Sequence, residues 1–246
     1  MPASVKARLA NRWWSVSMST VVRTPSGRIP RIIHTPEIPQ PVPISTTFLA
    51  LSRAATNRRA APPPAPIGSG AGATLRFLAS VIEAGAVVEV GTGTGVSGLW
   101  LLRGMRSDGV LTTVDIETEH QRLARETFNE AGIPTQRART IAGAALDVLP
   151  RLTDGHYDIV FVDGDKAEYA ACLSESLRLL RPGGVVAFDN ALWHDRVADP
   201  SVRDDDTQAI RELIRQVGAD DGLVPVLLPV GDGLLLAKKE WTPEAG

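Results

Sequence analysis

The chain has 246 residues, of which 43% are hydrophobic and 22% charged, with a formal net charge of −2. That length and apolar content suffice for one sizeable α/β domain, and no apolar run approaches the ~20 residues a membrane span needs. The single cysteine, Cys172, excludes an internal disulfide and fits a reducing compartment, so a cytoplasmic location is expected.

Charge is uneven along the chain. Residues 1–60 hold nine Lys or Arg and one acid, Glu37, which leaves 17 basic against 27 acidic residues in the remainder. An acidic remainder disfavours bulk binding of its surface to nucleic acid. The first 60-odd residues are rich in Pro, Arg, Ser and Thr and close on Pro62-Pro63-Pro64 and Pro66. Prolines 25, 30, 36, 39, 41 and 43 interrupt any amphipathic presequence. Residues 1–65 are therefore expected to form a poorly ordered basic extension, or to reflect a start placed too early with Met18 as the true one, and residues 66–246 to form the domain.

Within the domain the predicted elements alternate. Ala73–Glu83 has helical spacing, and Ala86–Val90 is a short apolar run of the kind that forms a buried parallel strand. Gly91, Gly93 and Gly95 follow at once, and Ser97–Arg103 then reads as a helix. Strand, glycine turn and helix together let a ligand approach the backbone and meet the free N–H groups of a helix start. The spacing is G-x-G-x-G rather than the G-x-G-x-x-G of a dinucleotide turn. Glu89, just before the first glycine, would repel a pyrophosphate but suits a ligand that carries an ammonium group. Asp115 ends the next apolar run, Val110–Val114, where an acid commonly accepts from ribose hydroxyls. The ligand these residues fit has a ribose and an amine and no pyrophosphate.

His120–Ala131 carries Leu123, Ala124, Phe128 and Ala131 on one helical face, and Gly143-Ala144 opens a helix ending near Leu152. Tyr157–Val162 is a further apolar run and ends in Asp163; Gly184–Phe188 ends in Asp189-Asn190. Between them Tyr169, Cys172, Leu173, Leu177 and Leu180 share helical spacing, which places Cys172 in the core rather than among nucleophiles. Thr207–Val217 has helical spacing, and Leu223–Leu228 and Leu234–Lys238 flank Val230-Gly231-Asp232-Gly233 as a hairpin. Strand–helix alternation ending in a hairpin predicts a mostly parallel sheet with an antiparallel edge.

Ligands in open α/β sheets bind beyond the carboxyl ends of the strands, where Glu89, Asp115, Asp163 and Asp189 all fall. Oxygen ligands from Asp163, Asp189 and Asn190 suit Mg²⁺, with Mn²⁺ or Ca²⁺ as alternatives, and leave about three positions of an octahedral shell open. Lys166, three residues after Asp163, is placed to take a proton from a bound hydroxyl. Among the histidines, His194 follows the Asp189–Trp193 segment and is read as an exposed loop residue, while His34, His120 and His156 show no ligand spacing.

Five segments resemble the cation-dependent class I O-methyltransferases, the family of caffeoyl-CoA and catechol O-methyltransferases. They are Glu89–Gly95, Thr113–Ile116, Val162–Lys166, Asp189–Trp193 and Gly231–Leu234, within a resemblance that runs from about Ile67 to Lys239. It implies a Rossmann-like sheet of seven strands, mostly parallel with the last antiparallel, and helices on both faces. It implies that Ile67, Glu89, Gly91, Thr92, Gly93, Ser97, Asp115, Ile116, Ala144 and Asp165 bind S-adenosylmethionine. Metal binding falls to Asp163, Asp189 and Asn190, and catalysis to Lys166 with Asp163. Gly164 and Ala167-Glu168 depart from the family's common residues, which bears on the acceptor rather than on the chemistry.

The activity this implies is methyl transfer to one hydroxyl of a vicinal aromatic diol, a phenolic small molecule of the catechol or caffeoyl type, by an enzyme expected to be a homodimer. Two adjacent oxygens are required because together they chelate one metal. The alternative is tRNA hydroxyuridine O-methylation within the same family, favoured by the basic N-terminal segment and disfavoured by the acidic domain. A cofactor-binding module without catalysis conflicts with the intact Asp163, Lys166, Asp189 and Asn190; a nicotinamide oxidoreductase conflicts with Glu89 and the glycine spacing.

Overall fold

A computed structural model describes residues 66–240. The expected boundary at residue 65, and everything anticipated for residues 1–65 and 241–246, lie outside the described residues.

Seven strands form one sheet: β1 Ala86–Val90, β2 Val110–Asp115, β3 Ala138–Ala142, β4 Tyr157–Val162, β5 Leu180–Phe188, β6 Leu223–Leu228 and β7 Leu234–Lys239. Their spatial order is β3-β2-β1-β4-β5-β7-β6. Strands β1 to β5 are mutually parallel, and β7 runs antiparallel to both β5 and β6. The hairpin therefore occupies one edge, with its antiparallel strand inside and β6 outermost. The chain winds outward from β1 to β3, then returns to β4 on the other side of β1. That reversal is the topological switch point where open α/β sheets bind ligands.

Among the described residues six α-helices precede or join the strands: α1 Ser69–Val81, α2 Val96–Gly104, α3 Thr118–Glu130, α4 Ala145–Val148, α5 Tyr169–Leu179 and α6 Asp205–Ala219. Strand side chains alternate between faces. Val88, Val90, Val160, Val162, Val186 and Phe188 meet Leu149 just after α4, Cys172 and Leu173 of α5 and Ile210 and Leu213 of α6 in one core. On the opposite face Leu111 and Glu89 lie against Gly98 of α2 and Phe128 of α3. Each fully buried Leu or Phe in these layers contributes roughly 1.5–3 kcal/mol relative to exposure.

Several elements differ from the sequence reading. Strand β3 went unpredicted: Ala-Arg-Thr-Ile-Ala has no clear alternation and forms the half-exposed edge paired to β2. Leu180, expected to extend the fifth helix, is extended (φ −69°, ψ 133°) and starts β5. Pro182 follows two residues on, and proline disfavours the helical region for Arg181 before it, so the helix cannot run on past Leu180. The helix expected from Gly143 to Leu152 is a single α-turn, Ala145–Val148, continued by a 3₁₀ turn over Leu149–Arg151, where Pro150 cannot donate to the helix. Among the described residues no helix is long and apolar enough to cross a membrane.

Candidate active site at the carboxyl edge of the sheet

The glycine turn leaves β1 between the ends of β2 and β4. Gly91 has φ +90°, and a Cβ there would lie 2.1 Å from the carbonyl oxygen of Asp163. Only glycine permits both that conformation and that approach. The turn ends at Gly95, the left-handed N-cap of α2, where no side chain caps the helix. The helix start is thereby open to a ligand.

Beneath the turn lies a buried polar chain. Thr113 Oγ1 donates to Glu89 Oε2 at 2.6 Å and lies 2.6 Å from Thr92 Oγ1. Gln121 Nε2 donates to Thr92 Oγ1 at 2.9 Å and to the Ile141 carbonyl at 3.0 Å. Glu89 has no exposed surface, and its Oε1 has no hydrogen-bond partner. Burial pushes its carboxyl up to about 7, against hydrogen bonds from Ser97 and Thr113 that act the other way. The structure thus sets Glu89 under the turn rather than on its open side, with Oε1 buried and unpaired.

Asp115, at the end of β2, closes the turn from the other side. Its Oδ2 accepts from Gly93 N–H at 3.0 Å and its Oδ1 from Glu117 N–H at 2.9 Å. His120 Nδ1 lies 3.1 and 3.2 Å from the two oxygens. His120 is a neighbour of the site that the sequence reading passed over; its signal was position, one residue pair into the helix that follows Asp115. Ile116 stands beside it 68% exposed, an apolar surface at the ligand edge. Thr92 and Ser97 are buried, and Ala144 is the N-cap of α4, one residue after Gly143 accepts its place through an N–H bond to the Asp115 carbonyl at 2.9 Å. Asp165 is exposed and caps the 3₁₀ turn Lys166–Glu168 by accepting from Ala167 N–H at 3.0 Å. Ile67 is half-buried just ahead of α1.

The second half of the site joins the ends of β4 and β5. Lys166 is buried, and its Nζ donates to the Gly164 carbonyl at 3.0 Å, to Tyr169 Oη at 2.7 Å and to Asn190 Oδ1 at 2.9 Å. Asp163 Oδ1 is 3.7 Å away. Asn190, at φ +58°, donates its backbone N–H to Asp189 Oδ1 at 2.8 Å. Asp163, Lys166, Asp189 and Asn190 are therefore brought together as expected from sequence. Burial raises the Asp163 carboxyl above its ordinary range, and burial with Asp163 nearby raises Asp189 to about 6. Burial also lowers the Lys166 amine, against the attraction of both carboxylates. Both carboxyls and the amine are thus shifted toward their neutral forms, chiefly by burial.

Among the described residues no group of three His, Cys, Asp or Glu side chains is placed to hold a metal ion, and the oxygens gathered at Lys166 include the Asn190 amide. The donors do fit a hard cation: an ammonium already sits among carbonyl, amide and carboxylate oxygens. Trp193 borders this group with its ring centre 5.4 Å from Lys166 Nζ, its indole N–H buried without a partner, and φ +48°. His194 is 78% exposed, as read from sequence, and its backbone N–H donates to Asp232 Oδ1 at 2.7 Å. With Ala191 and Leu192 N–H bonded to the Gly233 and Asp232 carbonyls, this ties the loop after β5 to the β6–β7 turn.

Comparison with known proteins places the fold in a family. A family model described as O-methyltransferase matches residues 44–240, which takes in part of the segment read as an extension. A protein from Mycobacterium sp. (strain JLS) that carries an O-methyltransferase name is 52% identical over 179 residues, 71% of this chain and 81% of its own length. The O-methyltransferase TomG from Streptomyces achromogenes, involved in tomaymycin synthesis and solved in complex with SAM, is 31% identical with a TM-score of 0.70, covering 78% of this chain and 90% of that one. An O-methyltransferase from Bacillus cereus in complex with SAH is 27% identical with a TM-score of 0.69, covering 78% and 88%. The chain belongs to the O-methyltransferase family.

Proposed function

We propose that the protein transfers a methyl group from S-adenosylmethionine to one hydroxyl of a vicinal aromatic diol, with a divalent cation. The observation that carries the reading is the joining of two half-sites at one sheet edge. Asp115 and the glycine turn present carboxylate and backbone groups at one half, which supports binding of a ribose and an amine; the oxygens of Asp163, Gly164 and Asn190 gather around Lys166 at the other, which supports a cation beside two phenolic oxygens. Support for the cofactor also comes from relatives solved with SAM and SAH. Asp115 accepts from ribose hydroxyls, the glycine turn admits the ligand backbone, and Ile116 offers an apolar surface to the base. Asp163, Asp189 and Asn190 would hold the cation, which when bound would lower the pKa of an acceptor hydroxyl. Lys166 takes the acceptor's proton, the acceptor oxygen forms its bond to the methyl carbon, and the sulfonium sulfur leaves with the electron pair. Holding donor and acceptor in line is most of the enzyme's contribution. The reading includes a cytoplasmic, homodimeric enzyme; Val224 and Val226, about half exposed on edge strand β6, supply apolar surface for a second copy.

Incubation with labelled S-adenosylmethionine, Mg²⁺ and a panel of catechols, flavonoids and tRNA, with and without chelator, tests this. Chelator-sensitive label in a catechol is the expected result. Label in tRNA alone, or label in phenols with a single hydroxyl, would overturn the acceptor class.

A further inference from the structure

Tyr169 begins α5 one turn after Lys166, and its ring is fully buried. In a purely apolar role its hydroxyl would be a liability, because an unpaired buried hydroxyl costs free energy. Instead Tyr169 Oη accepts from Lys166 Nζ at 2.7 Å and donates to the Asp189 carbonyl at 3.0 Å. One phenol oxygen thus links the amine to the backbone of the residue pair Asp189-Asn190. The ring itself is held by Phe188, with centroids 5.1 Å apart.

Lys166 has three N–H donors when charged, and all three are engaged: by Gly164, Tyr169 and Asn190. Asn190 Oδ1 has a second task in the reading above, as a cation ligand. An oxygen turned to a cation is a poorer acceptor for an ammonium, so that bond is the one surrendered. Two acceptors then remain. The Gly164 carbonyl belongs to the loop after β4, whereas Tyr169 Oη is fixed by a packed ring and by its own bond to Asp189.

We propose that Tyr169 is the positioning residue for Lys166, holding the amine at the acceptor while Asn190 turns to the cation. The inference rests on the function proposed above for the meaning of Lys166, and on the hydrogen bonds alone for the contact. Tyr169 has no exposed surface with which to meet cofactor or acceptor, so it acts through Lys166. It also explains why a tyrosine and not a phenylalanine fills this place in the core: Phe would pack equally well against Phe188 and leave the amine tethered to one loop carbonyl.

Tyr169→Phe keeps the ring and removes only the oxygen. Turnover should fall roughly 10- to 100-fold, as expected for misplacing a reacting group by about 1 Å. The KM and calorimetric affinity for S-adenosylmethionine, and the affinity for Mn²⁺, should stay within twofold. Lys166 modification by formaldehyde and cyanoborohydride, followed by mass spectrometry without cofactor or metal, should speed up at least fivefold. The chain has two tyrosines, Tyr157 and Tyr169, so the protein made with 3-fluorotyrosine gives two ¹⁹F signals. Lys166→Met should shift the Tyr169 signal and leave that of Tyr157 in place. Unchanged turnover and labelling in Tyr169→Phe, or two unmoved ¹⁹F signals in Lys166→Met, would overturn the proposal. So would a parallel loss of cofactor affinity and melting temperature, which marks a merely structural tyrosine. If the wild-type enzyme transfers no methyl group at all, the labelling and ¹⁹F arms still decide on Tyr169 independently.

Discussion

Glu89 is a carboxyl with no exposed surface whose pKa is raised from 4.5 to about 7 by burial. Its folded form holds a proton that its unfolded form has released, throughout the interval between those values. Stability contributed by such a group is greatest in acid and falls as pH rises from about 4.5 through about 7. A difference of some 2.5 pKa units corresponds to about 3 kcal/mol lost across that window. Glu89→Gln removes the titration, keeps an oxygen to accept from Thr113, and is nearly isosteric. The amide adds a cost of its own, because a buried N–H without an acceptor is unfavourable by roughly 1–3 kcal/mol. That cost does not depend on pH. Urea unfolding of both proteins at pH 5 and pH 8, with chelator and no cofactor, therefore isolates the carboxylate. The stability difference, variant minus wild type, should move in favour of the variant by about 2–3 kcal/mol between the two pH values, because the unfolded carboxyl is already partly titrated at pH 5. Asp163 and Asp189 also titrate, but they are present in both proteins and cancel to first order. Saturating S-adenosylmethionine should shrink the shift, because an amine at Oε1 favours the charged carboxylate. Parallel stability–pH curves for the two proteins would refute the argument: Glu89 would then be ionised in the folded state without penalty.

Other perturbations test the remaining parts. Asp115→Ala should weaken S-adenosylmethionine binding by about 1–3 kcal/mol by calorimetry, since ribose hydroxyls lose their acceptor; unchanged affinity removes Asp115 from the site. Chelation should abolish turnover and Mg²⁺ restore it, and full activity in metal-free enzyme would sink the roles of Asp163, Asp189 and Asn190. Lys166→Ala should lower turnover roughly 10²–10⁴-fold at neutral pH, with a deficit that shrinks in alkali as solvent takes the proton; near-normal turnover contradicts a base at this position. Gly91→Ala should destabilise by roughly 3 kcal/mol or more, because a Cβ at φ +90° would meet the Asp163 carbonyl at 2.1 Å. A melting temperature equal to wild type would show that β1 and β4 separate there at little cost.

Residue pattern alone determined the alternation of strands and helices, the glycine turn after β1 and the hairpin at the end. Those features are local: four or five apolar residues, a glycine triplet, a Gly-Asp-Gly between apolar runs. Position at strand ends also marked Glu89, Asp115, Asp163 and Asp189, because an acid that closes an apolar run stands at the sheet edge wherever the strand goes. Tertiary structure decided what those acids do. Strand β2 ends in Asp115 and β1 carries Glu89 one residue before its end at Val90; Asp115 lines the turn with its backbone partners while Glu89 is driven beneath it, since alternate residues of a strand face opposite layers and Glu89 faces α2. Strand β3 exists because β2 offers it an edge, not because Ala138–Ala142 has a strand pattern of its own. Tyr169 looked like one more core residue in an apolar stripe, and as a ring it is. Its hydroxyl acquires a role only where α5 carries it between Lys166 and the Asp189 carbonyl, 20 residues away in sequence and in hydrogen-bond contact in the fold.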